Sequence, residues 1–163
     1  MIETDDSVYA PIRRSIHVRA NAARAFKVFT EDVDTWWPRT HHIGKSPMTR
    51  AVIEGHIGGR CYSDHEGGTE SDWGRVVEWE PPRRFVMAWL IAADWSFEPD
   101  ASKCSEVEVR FTAQPDGSTF VELEHRAFER MGESGAAMRV GVGSEGGWGS
   151  LMELFREIAD KSE

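Results

Sequence analysis

Residues 58–89 read GGRCYSDHEGGTESDWGRVVEWEPPRRFVMAW, and three turn signals divide this stretch. Gly58-Gly59, Gly67-Gly68 and Pro81-Pro82 pair the residues that best supply tight or rigid turns. The segments they bound, 59–65, 72–79 and 84–91, are rich in Val, Trp, Phe and Tyr and read as strands. Such short connections join antiparallel neighbours as hairpins. Working outward, 50–56 precedes the stretch as another strand, while 106–113 and 118–126 follow it around the turn Asp116-Gly117. The predicted architecture is an antiparallel meander. Only 92–105 is too long for a hairpin, and it is expected to be a mobile loop carrying Trp95 and Phe97.

On the N-terminal side, Ile12, Ile16 and Val18 alternate with Arg13, His17 and Arg19, the period of a half-buried strand. Asn21 stands at the N-cap position of a short helix whose Ala22, Ala23, Ala25, Phe26 and Phe29 fit one side. A second short turn, EDVDTWW, stops before Pro38, since the residue before a proline avoids the helical region. At the other end, Trp148, Leu151, Met152, Phe155, Ile158 and Ala159 form one apolar stripe, predicting a long helix that starts at or near Ser144 and lies on a sheet. The order is strand, two short helices, six strands and a long helix, which is α+β with no βαβ repeat. Residues 1–10 read as a disordered tail and 11–163 as a single domain.

The chain has 163 residues, of which 40% are hydrophobic, and a formal charge of −9. That charge argues against nucleic acid, whose phosphates are held by clustered Lys and Arg. No apolar run approaches the roughly 20 residues that span a bilayer, and MIETDDSVYAP is acidic where a signal peptide is basic. The expectation is a cytoplasmic protein with no membrane partner and with Cys61 and Cys104 as reduced thiols.

Gly141, Gly143 and Gly146 match G-x-G-x-x-G, but too little chain follows for a βαβ unit, so they read as a hinge before the last helix. Cys61, His65, Glu66, His56 and the pair His41-His42 lack any spacing that closes a tetrahedral site, so neither metal nor cofactor is expected. Strand parity places His125 with Val121 and Leu123, facing inward, where an imidazole is either a satisfied core group or a polar contact for a ligand. Around it no catalytic constellation assembles. Seven tryptophans are present, and ligand cavities are lined mainly by hydrophobic and aromatic groups. Trp36, Trp37, Tyr62, Trp73, Trp89, His125 and Trp148 are therefore the candidate ligand-binding residues.

Gly58-Gly59-Arg60, Gly74-Arg75-Val76, the turn Glu80-Pro81-Pro82-Arg83-Arg84, Trp89, Phe26-Lys27-Val28-Phe29 and Gly147-Trp148 with Leu151 carry a family resemblance. The chain resembles bacterial proteins related to the C-terminal domain of the heat-shock-protein-90 ATPase activator, within the START-like superfamily called SRPBCC. The resemblance implies a helix-grip fold, in which a curved antiparallel sheet wraps a long C-terminal helix and two short helices after the first strand close one end of a cavity. It also implies a small hydrophobic or amphipathic ligand.

Three functions follow as expectations. The first is binding of a mostly apolar molecule whose polar group meets His125 or Tyr62. A second is a cyclase- or hydrolase-like enzyme with His125 as acid or base, to be recognised by a carboxylate such as Glu108 or Asp94 bonded to it. The third is a stress-linked protein that contacts a chaperone. A homodimer is compatible with each.

Overall fold

The computed structural model describes residues 6–161. Among them, seven strands form one antiparallel sheet in the spatial order β1-β7-β6-β5-β4-β3-β2. They are β1 Ile12–Val18, β2 Met48–Ile53, β3 Arg60–His65, β4 Glu70–Glu80, β5 Arg84–Trp89, β6 Ser105–Ala113 and β7 Thr119–Arg126. Strands β2 to β7 run as a meander, and β1 closes against β7 with Ile16 opposite Val121 and Ile12 opposite His125. The alternation read from the sequence becomes the two faces of this sheet. Phe85, Met87, Trp89, Val107, Val109, Phe111, Val121 and Leu123 are buried in the core.

The opposite face carries charge. Glu108, buried, meets Arg84 at 2.7 Å, Arg110 at 2.8 Å and Arg126. Burial pushes its carboxyl up, but hydrogen bonds from Arg126 and Arg84 together with the charges of Arg110 and Arg126 hold it below the ordinary range.

Helix α1, Ala22–Phe29, starts where expected, and the Asn21 side chain accepts a hydrogen bond from the Arg24 amide, satisfying a donor that the helix leaves unpaired. The second short helix is a single 3-10 turn, Val33–Thr35, after which the chain drops Trp36 and Trp37 into the core. The last helix, α3, spans Trp148–Ala159 and buries Trp148, Leu151, Met152, Phe155 and Ala159.

Two readings of the sequence change here. A further helix, α2 Gly135–Val142, precedes α3 after a 3-10 stretch at Phe128–Ser134. Gly141 therefore lies inside a helix and Gly143 caps it, so the glycine-rich segment is the break between two helices. The second change is at the N-terminus. Residues 1–5 of the expected tail lie outside the described residues, but Asp6–Tyr9 form a 3-10 turn and Tyr9 packs against the core. The Ala10 carbonyl accepts a bond from Arg139 of α2.

The long loop after β5 is tied down rather than free. Ile91 bridges to Phe97, the Ala92 amide bonds to the Ser96 carbonyl, and the Asp94 carboxylate accepts from the Ser96 amide. Among the described residues no helix is long and apolar enough to cross a membrane.

Candidate functional site

Four tryptophans from four elements meet in a closed circuit. Trp37 stacks on Trp73 of β4 with ring centres 5.4 Å apart and planes 9° from parallel. Trp73 meets Trp89 of β5 at 6.1 Å, Trp89 meets Trp148 of α3 at 5.5 Å, and Trp148 returns to Trp37 at 6.1 Å. These separations lie in the range where aromatic pairs attract beyond their area burial. Against this circuit lies a cavity of about 340 Å³, near the lower end of the roughly 300–1,000 Å³ typical of small-molecule sites.

The remaining lining comes from loops. Thr40, His41, His42 and Ile43 arrive from the segment before β2, Ile91 and Trp95 from the loop after β5, and Val142, Ser144 and Gly146 from the α2–α3 break. Thr40, Trp95, Ser144 and Gly146 are exposed and mark the mouth. His41 fastens the two sides of that mouth, since its Nε2 bonds the Gly146 carbonyl at 2.8 Å while its own carbonyl accepts from Trp37 Nε1 at 2.7 Å. Among the described residues, no Asp, Glu, Lys or Arg lines the cavity.

Trp95 holds a left-handed backbone with φ of 65°, uncommon for a bulky residue. Its ring lies so close to Gly141 that a Cβ there would stand 2.9 Å from Trp95 Cζ2. Because the indole is 47% exposed, Trp95→Ala is expected to cost under about 1 kcal/mol, as surface changes usually do. Chemical denaturation checks this, and a core-sized loss would show that the ring supports the fold.

His42 sits in the wall with its Nδ1 unpartnered. Burial, and then the neighbouring His65, hold its imidazole below the ordinary histidine range against a smaller upward pull from the Gly44 backbone. The two rings are 4.9 Å apart. His65 itself is saturated, because its Nδ1 bonds the Ser46 carbonyl at 2.7 Å and its Nε2 the Ser63 hydroxyl at 2.8 Å. Gly44 makes this packing feasible, since a Cβ there would fall 2.3 Å from the His65 ring.

The candidate residues divide as follows. Trp37, Trp73, Trp89 and Trp148 line the cavity, whereas Trp36 lies behind it against Phe29 and Phe155, its Nε1 bonded to the Val28 carbonyl. Tyr62 does not line it, because Cys61, Ser63 and His65 take the buried side of β3 and Tyr62 projects to the other, under the Arg60 guanidinium. His125 does face inward but stands outside the lining. Its Nδ1 accepts from Trp148 Nε1 at 3.0 Å, its Nε2 pairs with the Ser105 hydroxyl at 2.8 Å, and its ring stacks on Phe128. The carboxylates expected beside a catalytic His125 are elsewhere, Glu108 among arginines and Asp94 on Ser96. Burial alone pushes its pKa down to about 3. It is the neutral bracket that orients Trp148.

Of the histidines weighed as metal ligands, His42 and His65 meet ring to ring, while Cys61 and Cys104 lie apart from them. Among the described residues no three His, Cys, Asp or Glu side chains converge. Cys61 is buried against Met87 and Cys104 beside the Glu98 and Asp100 carbonyls, both as free thiols.

Comparison with known proteins places these features. The family model described as activator of Hsp90 ATPase homolog 1-like protein matches residues 19–160. No curated protein matches. Among solved structures, an anthrahydroquino-gamma-pyrone synthase, Txn09, is 34% identical with a TM-score of 0.64, over 91% of this chain and 96% of that one. The self-sacrificing resistance protein CalC from Micromonospora echinospora is 30% identical with a TM-score of 0.66, over 94% and 96%. Protein NE0264 from Nitrosomonas europaea, 11% identical with a TM-score of 0.64 over 96% and 97%, shares the fold alone.

Proposed function

The chain belongs to the activator of Hsp90 ATPase homolog 1-like family, a START-like helix-grip protein, and from that premise we propose that it binds a small, uncharged, planar aromatic molecule in the tryptophan-lined cavity. The observation that carries this reading is the circuit of Trp37, Trp73, Trp89 and Trp148 beside an open-mouthed cavity with no charged residue among its described lining. Flat aromatic faces stack on flat ligands. A charged group placed there would lose its hydration without gaining a counter-ion.

The 34% identity to a pyrone synthase supports a second reading, cyclisation of the bound molecule. Its acid or base would be His42, the imidazole in the wall, rather than His125.

Thermal-shift assays with uncharged bicyclic and tricyclic aromatics test the binding reading. At a hundredfold excess over Kd a ligand selective for the folded state adds about 2.7 kcal/mol, a rise of roughly 5–10 °C for a domain of this size. Trp73→Ala, which removes the stacked partner of Trp37, is expected to weaken binding about tenfold. A flat response across the whole series would refute the proposal.

A further inference from the structure

The described residues leave two buried side-chain nitrogen or oxygen atoms without a hydrogen-bond partner in the protein, His42 Nδ1 and Trp89 Nε1. Both belong to residues that line the cavity. Three other tryptophan N–H groups nearby are engaged, Trp37 on the His41 carbonyl, Trp36 on the Val28 carbonyl and Trp148 on His125. Buried polar groups are paired in the great majority of cases, and each exception calls for a reason. The other fully buried side-chain nitrogen and oxygen atoms among the described residues are paired, including those of Ser63, His65, Ser105 and His125. That both exceptions fall on one cavity is what a polar ligand would require of its host.

We infer that the ligand is a hydroxylated ring system, one oxygen accepting from Trp89 Nε1 and a hydroxyl pairing with His42 Nδ1. Indole N–H is a donor only, so the first group must be an acceptor, a carbonyl, ether or hydroxyl oxygen. A hydroxyl both donates and accepts, so it satisfies Nδ1 in either neutral tautomer of His42. Both protein atoms are uncharged, which matches the absence of ionic side chains from the lining. An unoxygenated hydrocarbon would stack on the indoles but leave both nitrogens unpaired, and a carboxylate would bring a charge that nothing there balances.

This inference rests on the binding reading above, and three isoskeletal probes separate the two: naphthalene, 2,6-dihydroxynaphthalene and 2,6-naphthalenedicarboxylate, titrated by calorimetry into the intact protein. The expected order is the diol tightest, naphthalene at least tenfold weaker, and the dicarboxylate without measurable binding. Trp89→Phe and His42→Phe, which keep a ring but delete the nitrogen, are expected each to bring the naphthalene-to-diol ratio of dissociation constants toward one. His42→Gln, which restores a polar group, should recover part of it. Equal affinity for diol and naphthalene in the unmodified protein overturns this inference while leaving the aromatic cavity standing. Tightest binding by the dicarboxylate overturns it likewise. No binding by any probe overturns both.

Discussion

Trp148→Ala is expected to lower the unfolding free energy by about 5 kcal/mol, measured by denaturant unfolding at pH 7.5. Large-to-small aromatic changes in cores cost about 3–5 kcal/mol, and Trp148 is 1% exposed. Its loss also leaves His125 Nδ1 without a donor, adding about 1–3 kcal/mol for an unpaired buried group. Trp148→Phe separates the two contributions, because it keeps most of the packing and deletes only the N–H. A loss under about 1 kcal/mol for the alanine variant would place this residue outside the core.

The second large effect is acid sensitivity set by His125. Its pKa of about 3 in the fold lies below its ordinary value of 6.5, so between those limits the unfolded chain binds a proton that the folded one refuses. Stability is therefore complete above about pH 6.5 and falls as pH drops, by about 1.4 kcal/mol per unit. Across the whole window to pH 3 this approaches 5 kcal/mol. His42 adds to the slope with the same sign, since its imidazole is also held down. Carboxylates held low, such as Glu78, Glu108 and Asp116, lose their contribution only as pH falls below their ordinary values, 4.5 for Glu and 3.8 for Asp, so measurement between pH 6.5 and 5 isolates the histidines. His125→Gln retains one donor and one acceptor for Ser105 and Trp148 but does not titrate. It should flatten most of this slope, and an unchanged slope would mean that His125 is protonated in the fold.

Much of this fold is written in period and punctuation. The alternation of Ile12, Ile16 and Val18, the cap at Asn21 and the stripe from Trp148 to Ala159 each follow from side-chain direction in a strand or helix, and the structure carries all three. Helix α2 was illegible because GAAMRVGV begins with glycine, contains a second near its end, and offers only Met138 and Val142 as large buried residues. Glycine reads locally as a break; here neighbouring packing overrides it.

The site was half legible for a similar reason. Tryptophans on strands and on α3 could be assigned to the core face by parity, which brings Trp73, Trp89 and Trp148 together. Parity also places Tyr62 opposite Cys61 and Ser63, on the outer face. It places His125 inward but says nothing of depth. Trp148 and Phe128 lie against that imidazole, and the cavity lining does not reach it. His41 and His42 come from a loop without periodicity, where only the adjacency of two histidines to a tryptophan pair offered any signal.

The central claim is that the aromatic circuit is a binding surface, and the indole N–H region of an ¹⁵N-labelled protein reads it residue by residue. Titration with 2,6-dihydroxynaphthalene should move the signals of Trp37, Trp73, Trp89 and Trp148, with Trp89 shifting furthest through its new hydrogen bond. Trp36, bonded to Val28 behind the wall, and Trp79, packed on Phe26, should stay in place. Shifts confined to Trp36 and Trp79, or none at a millimolar excess of probe, would contradict the account.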